Sequence, residues 1–210
     1  AGSINWSRSL FQRVRKTMNR FSASPSWQEM MQGGTGHDVQ KKYMALAKQM
    51  MYFEKRWFGE WSETVGQLAM AHLKRPIIRE GPDGTVEVNF HPDLTRLIRE
   101  TRYLDRMGFN IPETALNVTL QEEKYHTYVE GLHNMLEQYH SVIGVLTPVE
   151  KEMLAVRLQK LQRVLDPGFN PLNWNSLGIP DFITTCTKAI NEFNSIVHQV
   201  QKNSSIIEKV

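Results

Sequence analysis

Three histidines, His126, His133 and His140, recur every seven residues in a stretch that also carries Glu122, Glu130 and Glu137. Imidazoles and carboxylates are the ligands of zinc and the usual acid–base groups of catalysis. On a helix, seven residues return to nearly the same face but climb about 10.5 Å, whereas helical ligand pairs stand three or four residues apart. The spacing therefore favours residues at the border of a packed face. A ligand- or metal-binding helical domain using the His126/His133/His140 face, with Glu137, is the alternative from another class, and it needs those side chains to converge on a cleft.

Other chemistry-bearing groups lead no further. The run Gly33-Gly34-Thr35-Gly36 lacks the lysine after the last glycine and the apolar strand before the first that a phosphate loop requires, and it reads as a linker. Cys186 is the only cysteine, so neither an intramolecular disulfide nor a cysteine-based zinc site can form, and its apolar register makes it a buried structural thiol. Glu122-Glu123 suits a helix start, where carboxylates complement the dipole. No HExxH, GxSxG or GxGxxG occurs, so no catalytic residue, metal ligand or cofactor site is assigned. The net charge of +3 falls short of a dedicated nucleic-acid binder, and no run of 18 apolar residues exists to insert into a membrane. The chain starts without Met and ends in what reads as a cut helix at Val210, the pattern of a fragment.

The elements behind these groups are mostly helical. Trp6 to Phe21 carries the stripe Trp6, Leu10, Val14, Met18 and Phe21, with Arg8, Arg13, Arg15, Lys16 and Arg20 on the remaining faces. Residues 22–36 read as a loop with a short helical turn near Trp27. Asp38 is expected as the N-cap of a helix to about Leu73, with a stripe from Val39 through Tyr43, Leu46, Met50, Phe53, Trp57, Trp61, Val65 and Leu68 to His72. Residues 75–90 change period: Val86, Val88 and Phe90 alternate with polar residues beyond Gly81-Pro82-Asp83-Gly84, which is hairpin chemistry. A lone ribbon must pack against helices to be stable.

A helix after His91-Pro92 is expected to bury Leu94, Leu97, Ile98, Tyr103, Leu104 and Met107 and to stop at Gly108. From Leu120 to Leu146, Tyr125, Tyr128, Leu132, Met135, Tyr139, Val142 and Leu146 step by three and four, as in coiled-coil-like bundles. Thr147 and Pro148 restart a helix that runs from Val149 to Leu165 with Met153, Val156, Leu158 and Leu161 inward, antiparallel to its predecessor. Residues 166–181 form an apolar loop holding Phe169, Leu172, Trp174 and Leu177, and Phe182 to Gln201 is a last helix burying Cys186. The expected fold is mainly α, an elongated array of antiparallel helical bundles with one small β-hairpin. The expected domains are 1–118, with the hairpin, and 119–210.

One stretch carries more than periodicity. Val88 to Leu116, VNFHPDLTRLIRETRYLDRMGFNIPETAL, resembles the N-terminal tail (stem) region of dynein heavy chains, where the pattern F-x-P-x-L-x-x-L-I-R-E-x-[KR]-x-L-x-x-[ML]-G-[FY]-x-I-P recurs. Residues 1–21 (AGSINWSRSLFQRVRKTMNRF) and 166–183 (DPGFNPLNWNSLGIPDFI) are similar to two further tail segments, so the resemblance spans the chain, and its wording is closer to axonemal than to cytoplasmic heavy chains. It implies a helical stem scaffold without catalysis of its own, ATP and magnesium belonging to the absent motor region. It also implies intermediate and light chains, other heavy chains and docking proteins as partners, in a ciliary or flagellar axoneme. Three surfaces are expected to meet them: the basic helix (Arg8, Arg13, Arg15, Lys16, Arg20), the hairpin edge by strand addition, and the loop bearing Phe169, Leu172, Trp174 and Leu177.

Overall fold

The computed structural model describes residues 1–207; the expected helix end at Val210 lies outside them. The chain is mainly α, with one two-stranded antiparallel sheet among the described residues. It divides into two compact units, residues 1–67 with 99–115, and residues 68–98 with 116–207.

In the first unit, α1 (Gly2–Ser22) and α2 (Ser26–Gln32) precede the start of the long α3 (Thr35–Leu73). Helix α3 begins three residues before the expected cap. Gly34, at φ +82°, turns the chain, and the Asp38 amide already donates to the Gly34 carbonyl at 3.2 Å. Asp38 therefore lies in the first turn, where its charge still suits the dipole. Helices α1 and α3 run antiparallel, since Phe11 stacks on Tyr43 at 5.7 Å while the earlier Arg8 reaches the later Glu54. Of the expected stripe of α1, Val14 and Met18 are half-buried, Leu10 and Phe21 are exposed and Trp6 is 68% exposed, and the buried residues near its start are Ile4 and Ser7.

Helix α4 (Pro92–Arg106) ends in this unit with the expected glycine stop. Gly108, at φ +85°, donates to the Asp105 carbonyl, and Phe109 donates back to that of Leu104, a Schellman pair that satisfies two terminal carbonyls. One expected core position is wrong: Tyr103 is 49% exposed, and Thr101 takes the inward place at 1%. Thr101 stands three residues from both Ile98 and Leu104, whereas Tyr103 stands five from one and one from the other, so helical spacing favours the threonine although it is the less apolar of the two. Phe58 stacks on Phe109 at 4.6 Å, and α5 (Glu113–Leu120) follows, with Thr114 close against Gly66 of α3.

The second unit is built on the hairpin. Strands β1 (Ile78–Glu80) and β2 (Val86–Val88) pair Ile78 with Val88 and Glu80 with Val86, closed by a turn in which Gly84 sits at φ +70°. As a bare ribbon requires, helices cover it: α6 (Glu122–Gly144) lies on β2, and α8 (Ala155–Phe169) on β1. Helix α6 buries Tyr125, Leu132, Met135, Tyr139 and Val142 of the expected stripe, with Leu136 beside them, while Tyr128 is only half-buried.

Two expectations for the following helices change. Thr147 caps α7 (Pro148–Met153) in a reciprocal capping box with Glu150, but the helix stops after one turn and a half. The Leu154 carbonyl then accepts from both Arg157 and Leu158, and the chain enters α8. The pivot buries Leu154 and turns Met153 and Val156 outward, at 67% and 71% exposed. Helix α8 also runs on through Pro167 to Phe169, because a proline in the last turn deletes a single bond; the connecting loop is residues 170–178.

Helix α9 (Ile179–Ile207) is the neighbour that both α6 and α8 lean on. It runs antiparallel to α8: Gly168 meets Phe182, and Val164 meets the later Cys186. A Cβ on Gly168 would lie 2.7 Å from both Ile78 Cδ1 and Phe182 Cζ, so only glycine lets α8, β1 and α9 close together. The main partner of α6 is thus α9, and not the next helix in sequence as the short connection predicted.

Candidate docking surfaces

The basic face of α1 divides by what each cation touches. Arg8 donates from Nε and Nη2 to the Glu54 carboxylate at 3.0–3.1 Å and from Nη1 to the Met107 carbonyl at 3.0 Å, with its guanidinium 5.1 Å from the centre of the Phe109 ring. Fork geometry and an aromatic lid are what a guanidinium offers and an ammonium does not. Arg8 therefore ties its own unit together. Arg13, Arg15, Lys16 and Arg20 are exposed, and among the described residues none of them makes an ion pair. No carboxylate precedes Glu29, and residues 1–53 hold eight Lys and Arg against two Asp and Glu, while the rest of the chain holds 17 against 20. The mild net charge thus conceals a strongly basic end.

Arg13 borders an apolar groove of about 710 Å³, while Arg15, Lys16 and Arg20 line a separate depression. Leu10, Val14, Met18 and Phe21 of α1 form one wall, Val39, Tyr43 and Leu46 of α3 the other, with Arg13 and Lys42 at the rim. The α3 wall was missed as a site because its spacing is that of any core-facing stripe. The only sequence signal was the missing carboxylate before Glu29.

The loop residues separate. Trp174 is fully buried, Leu172 is half-buried in the loop, and Phe169 is half-buried in the last turn of α8. Leu177 alone projects, at 86% exposed. The hairpin strands are three residues each, and the approach to β1 is already bridged by the chain's own Asn173, opposite Pro76. The histidine ladder does not converge. His126 pairs with Glu130 at 3.2 Å beside a cleft floored by Phe90, Ile98, Tyr125 and Val129, whereas His133 and His140 border a separate depression with Val86 and Glu137.

Residues 1–182 match the family described as dynein heavy chain, N-terminal region 1. Over 211 residues, the chain is 51% identical to the dynein-1-alpha heavy chain of the flagellar inner arm I1 complex of Chlamydomonas reinhardtii, covering all of this chain and 4% of that one. It is 39% identical to dynein axonemal heavy chain 10 of Homo sapiens over 218 residues, 99% of this chain and 5% of the relative. The dynein gamma chain of the flagellar outer arm of Chlamydomonas reinhardtii is 28% identical over 207 residues, 95% of this chain and 4% of the relative. The chain therefore spans about a twentieth of the length of the relatives it matches.

Proposed function

The chain belongs to the dynein heavy chain family through its N-terminal region, and from that membership we propose that it serves as a scaffold segment of an axonemal heavy-chain tail. Its work is mechanical: it carries intermediate or light chains, or a neighbouring heavy chain, and links the downstream ATP-driven microtubule motor to its anchoring site in the axoneme. The axonemal and flagellar names of its relatives support that location.

The observation that carries the docking role is the exposed, unpaired set Arg13, Arg15, Lys16 and Arg20, of which Arg13 rims the apolar groove between α1 and α3 and the other three line a separate depression on α1. Four like charges on one helix repel one another in the isolated chain and are relieved by an acidic partner surface. Apolar walls supply the area that charge alone does not.

The experiment is a pull-down from ciliary extract with the wild-type chain and an Arg13→Glu/Arg20→Glu double variant. Wild type is expected to recover dynein intermediate, light or heavy chains, and the variant to lose them. Equal recovery by both moves the contact away from α1. Recovery of no dynein subunit by either overturns the docking role and leaves a spacer.

A further inference from the structure

In the second unit, the end of α3 and the start of α4 bring together a group that no spacing rule pointed to. His72, in the last turn of α3, is buried at 7% exposed. His91 precedes α4, and Asp93 lies in its first turn. Nε2 of His72 and Nδ1 of His91 approach the same carboxylate oxygen, Asp93 Oδ2, at 3.7 and 3.5 Å. One nitrogen from each histidine and one Asp93 oxygen all lie within 4.8 Å of one another. Among the described residues this is the one group of three such ligands.

We propose that His72, His91 and Asp93 form a binding site for a single divalent transition metal of the zinc class, clamping the C-terminus of α3 to the N-terminus of α4. Two imidazoles and one carboxylate suit borderline ions such as Zn²⁺ and Co²⁺, and exclude Mg²⁺ and Ca²⁺, which take oxygen. Asp93 and His91 are both partly exposed, so water can complete the coordination. The buried His72 has no partner at Nδ1, and its Nε2 stands beyond hydrogen-bond reach of Asp93. A buried imidazole without a hydrogen bond is costly, and a metal bond at Nε2 supplies the interaction there that Asp93 is too far to make, while the buried Nδ1 stays unpartnered.

Three features set the strength of the site. The rings stack in parallel, with centroids 3.8 Å apart, so a shared ion requires the more exposed His91 to tilt out of the stack. Nδ1 of His91 now accepts from the Asp93 amide at 3.2 Å, and coordination through that nitrogen forfeits this bond. Arg96, 3.5 Å from Asp93 Oδ1, leaves Oδ2 to the ion, and the C-terminus of α3 favours a cation while Arg75 nearby opposes one.

The test is equilibrium dialysis of the chain against Zn²⁺, paired with the visible absorption of bound Co²⁺ and with melting by circular dichroism. Wild type is expected to bind one Zn²⁺, to show the Co²⁺ band of a low-symmetry nitrogen–oxygen site, and to melt higher with zinc. His91→Ala and Asp93→Asn each weaken binding at least about 10-fold and lose the zinc-dependent shift. A triple variant of His126, His133 and His140 to Gln binds as wild type does. Absence of saturable binding by wild type, or wild-type affinity in both ligand variants, overturns the site. Asp93→Asn keeps the shape and helix-start chemistry of the aspartate, so it decides the matter should His91→Ala fail to fold.

Discussion

The indole Nε1 of Trp174 donates to the backbone carbonyl of Asn89 at 3.0 Å, joining positions 85 residues apart. The same ring stands edge-on to Phe90, 4.8 Å between centroids, and the Trp174 amide donates to the Leu73 carbonyl at 3.1 Å. One residue of the loop therefore holds the end of α3 and the strand leading out of β2. Trp174→Ala removes the largest fully buried side chain and is expected to cost about 3–5 kcal/mol. Trp174→Phe keeps much of the area, loses the hydrogen bond and fits the site less well, so it should cost less than the alanine. Denaturant melts of both variants check the ranking; equal, small effects would mean that the loop is not anchored by this ring.

Cys186 is fully buried on α9, its sulfur 3.4 Å from the Val164 carbonyl, and burial pushes its thiol pKa up to about 12. At pH 8 the folded chain should react with a thiol reagent at least about 10³-fold more slowly than the unfolded chain, whose thiol is ordinary. The raised pKa means that the unfolded state sheds the proton first, so this group's contribution is full below the ordinary thiol range and declines as pH rises toward 12. Reaction rates with and without denaturant read the protection directly.

Thr147 and Glu150 make the capping box of α7: the Thr147 amide donates to Glu150 Oε2 at 2.7 Å, and the Glu150 amide donates to Thr147 Oγ1 at 3.3 Å. These bonds hold the Glu150 carboxyl below the usual glutamate range. A depressed folded pKa contributes stability above the unfolded value, near about 4.3, and loses it as pH falls through the folded value. Thr147→Ala should lower the melting temperature by a few degrees at pH 7 and by less at pH 3. An equal drop at both values would show that the box contributes nothing through Glu150.

Local chemistry was legible wherever a few neighbouring residues settle the backbone. The hairpin turn, the Gly108 stop and the Thr147-Pro148 restart all follow from what glycine, proline and a short hydroxyl side chain do to their own segment. The register of α6 was equally plain, since seven apolar positions in strict alternation leave one face to bury. The sequence was silent where two readings of a segment differ only in what lies across from it. At 101 and 103 spacing and apolar character point to different residues, to Thr101 by spacing and to Tyr103 by character, and packing settles it for Thr101. The pivot at Leu154 and the passage of α8 through Pro167 are likewise decided by where β1 and α9 await the helix.

Site chemistry divided in the same way. The absence of carboxylates before Glu29 marked the basic end from composition alone, and charge is additive along a chain. Which cation is spent internally is not additive: Arg8 lost its place among the docking residues only because α3 brings Glu54, and the turn after α4 brings Phe109, to the same guanidinium. His72, 19 residues from His91, had no reason in the sequence to be anything but one more position on a stripe. Helix-forming tendency, turn chemistry and net charge are properties of short segments, and those the sequence determined. Which segments meet, and so which side chains share a partner, depends on long-range packing, and only the tertiary structure decided it.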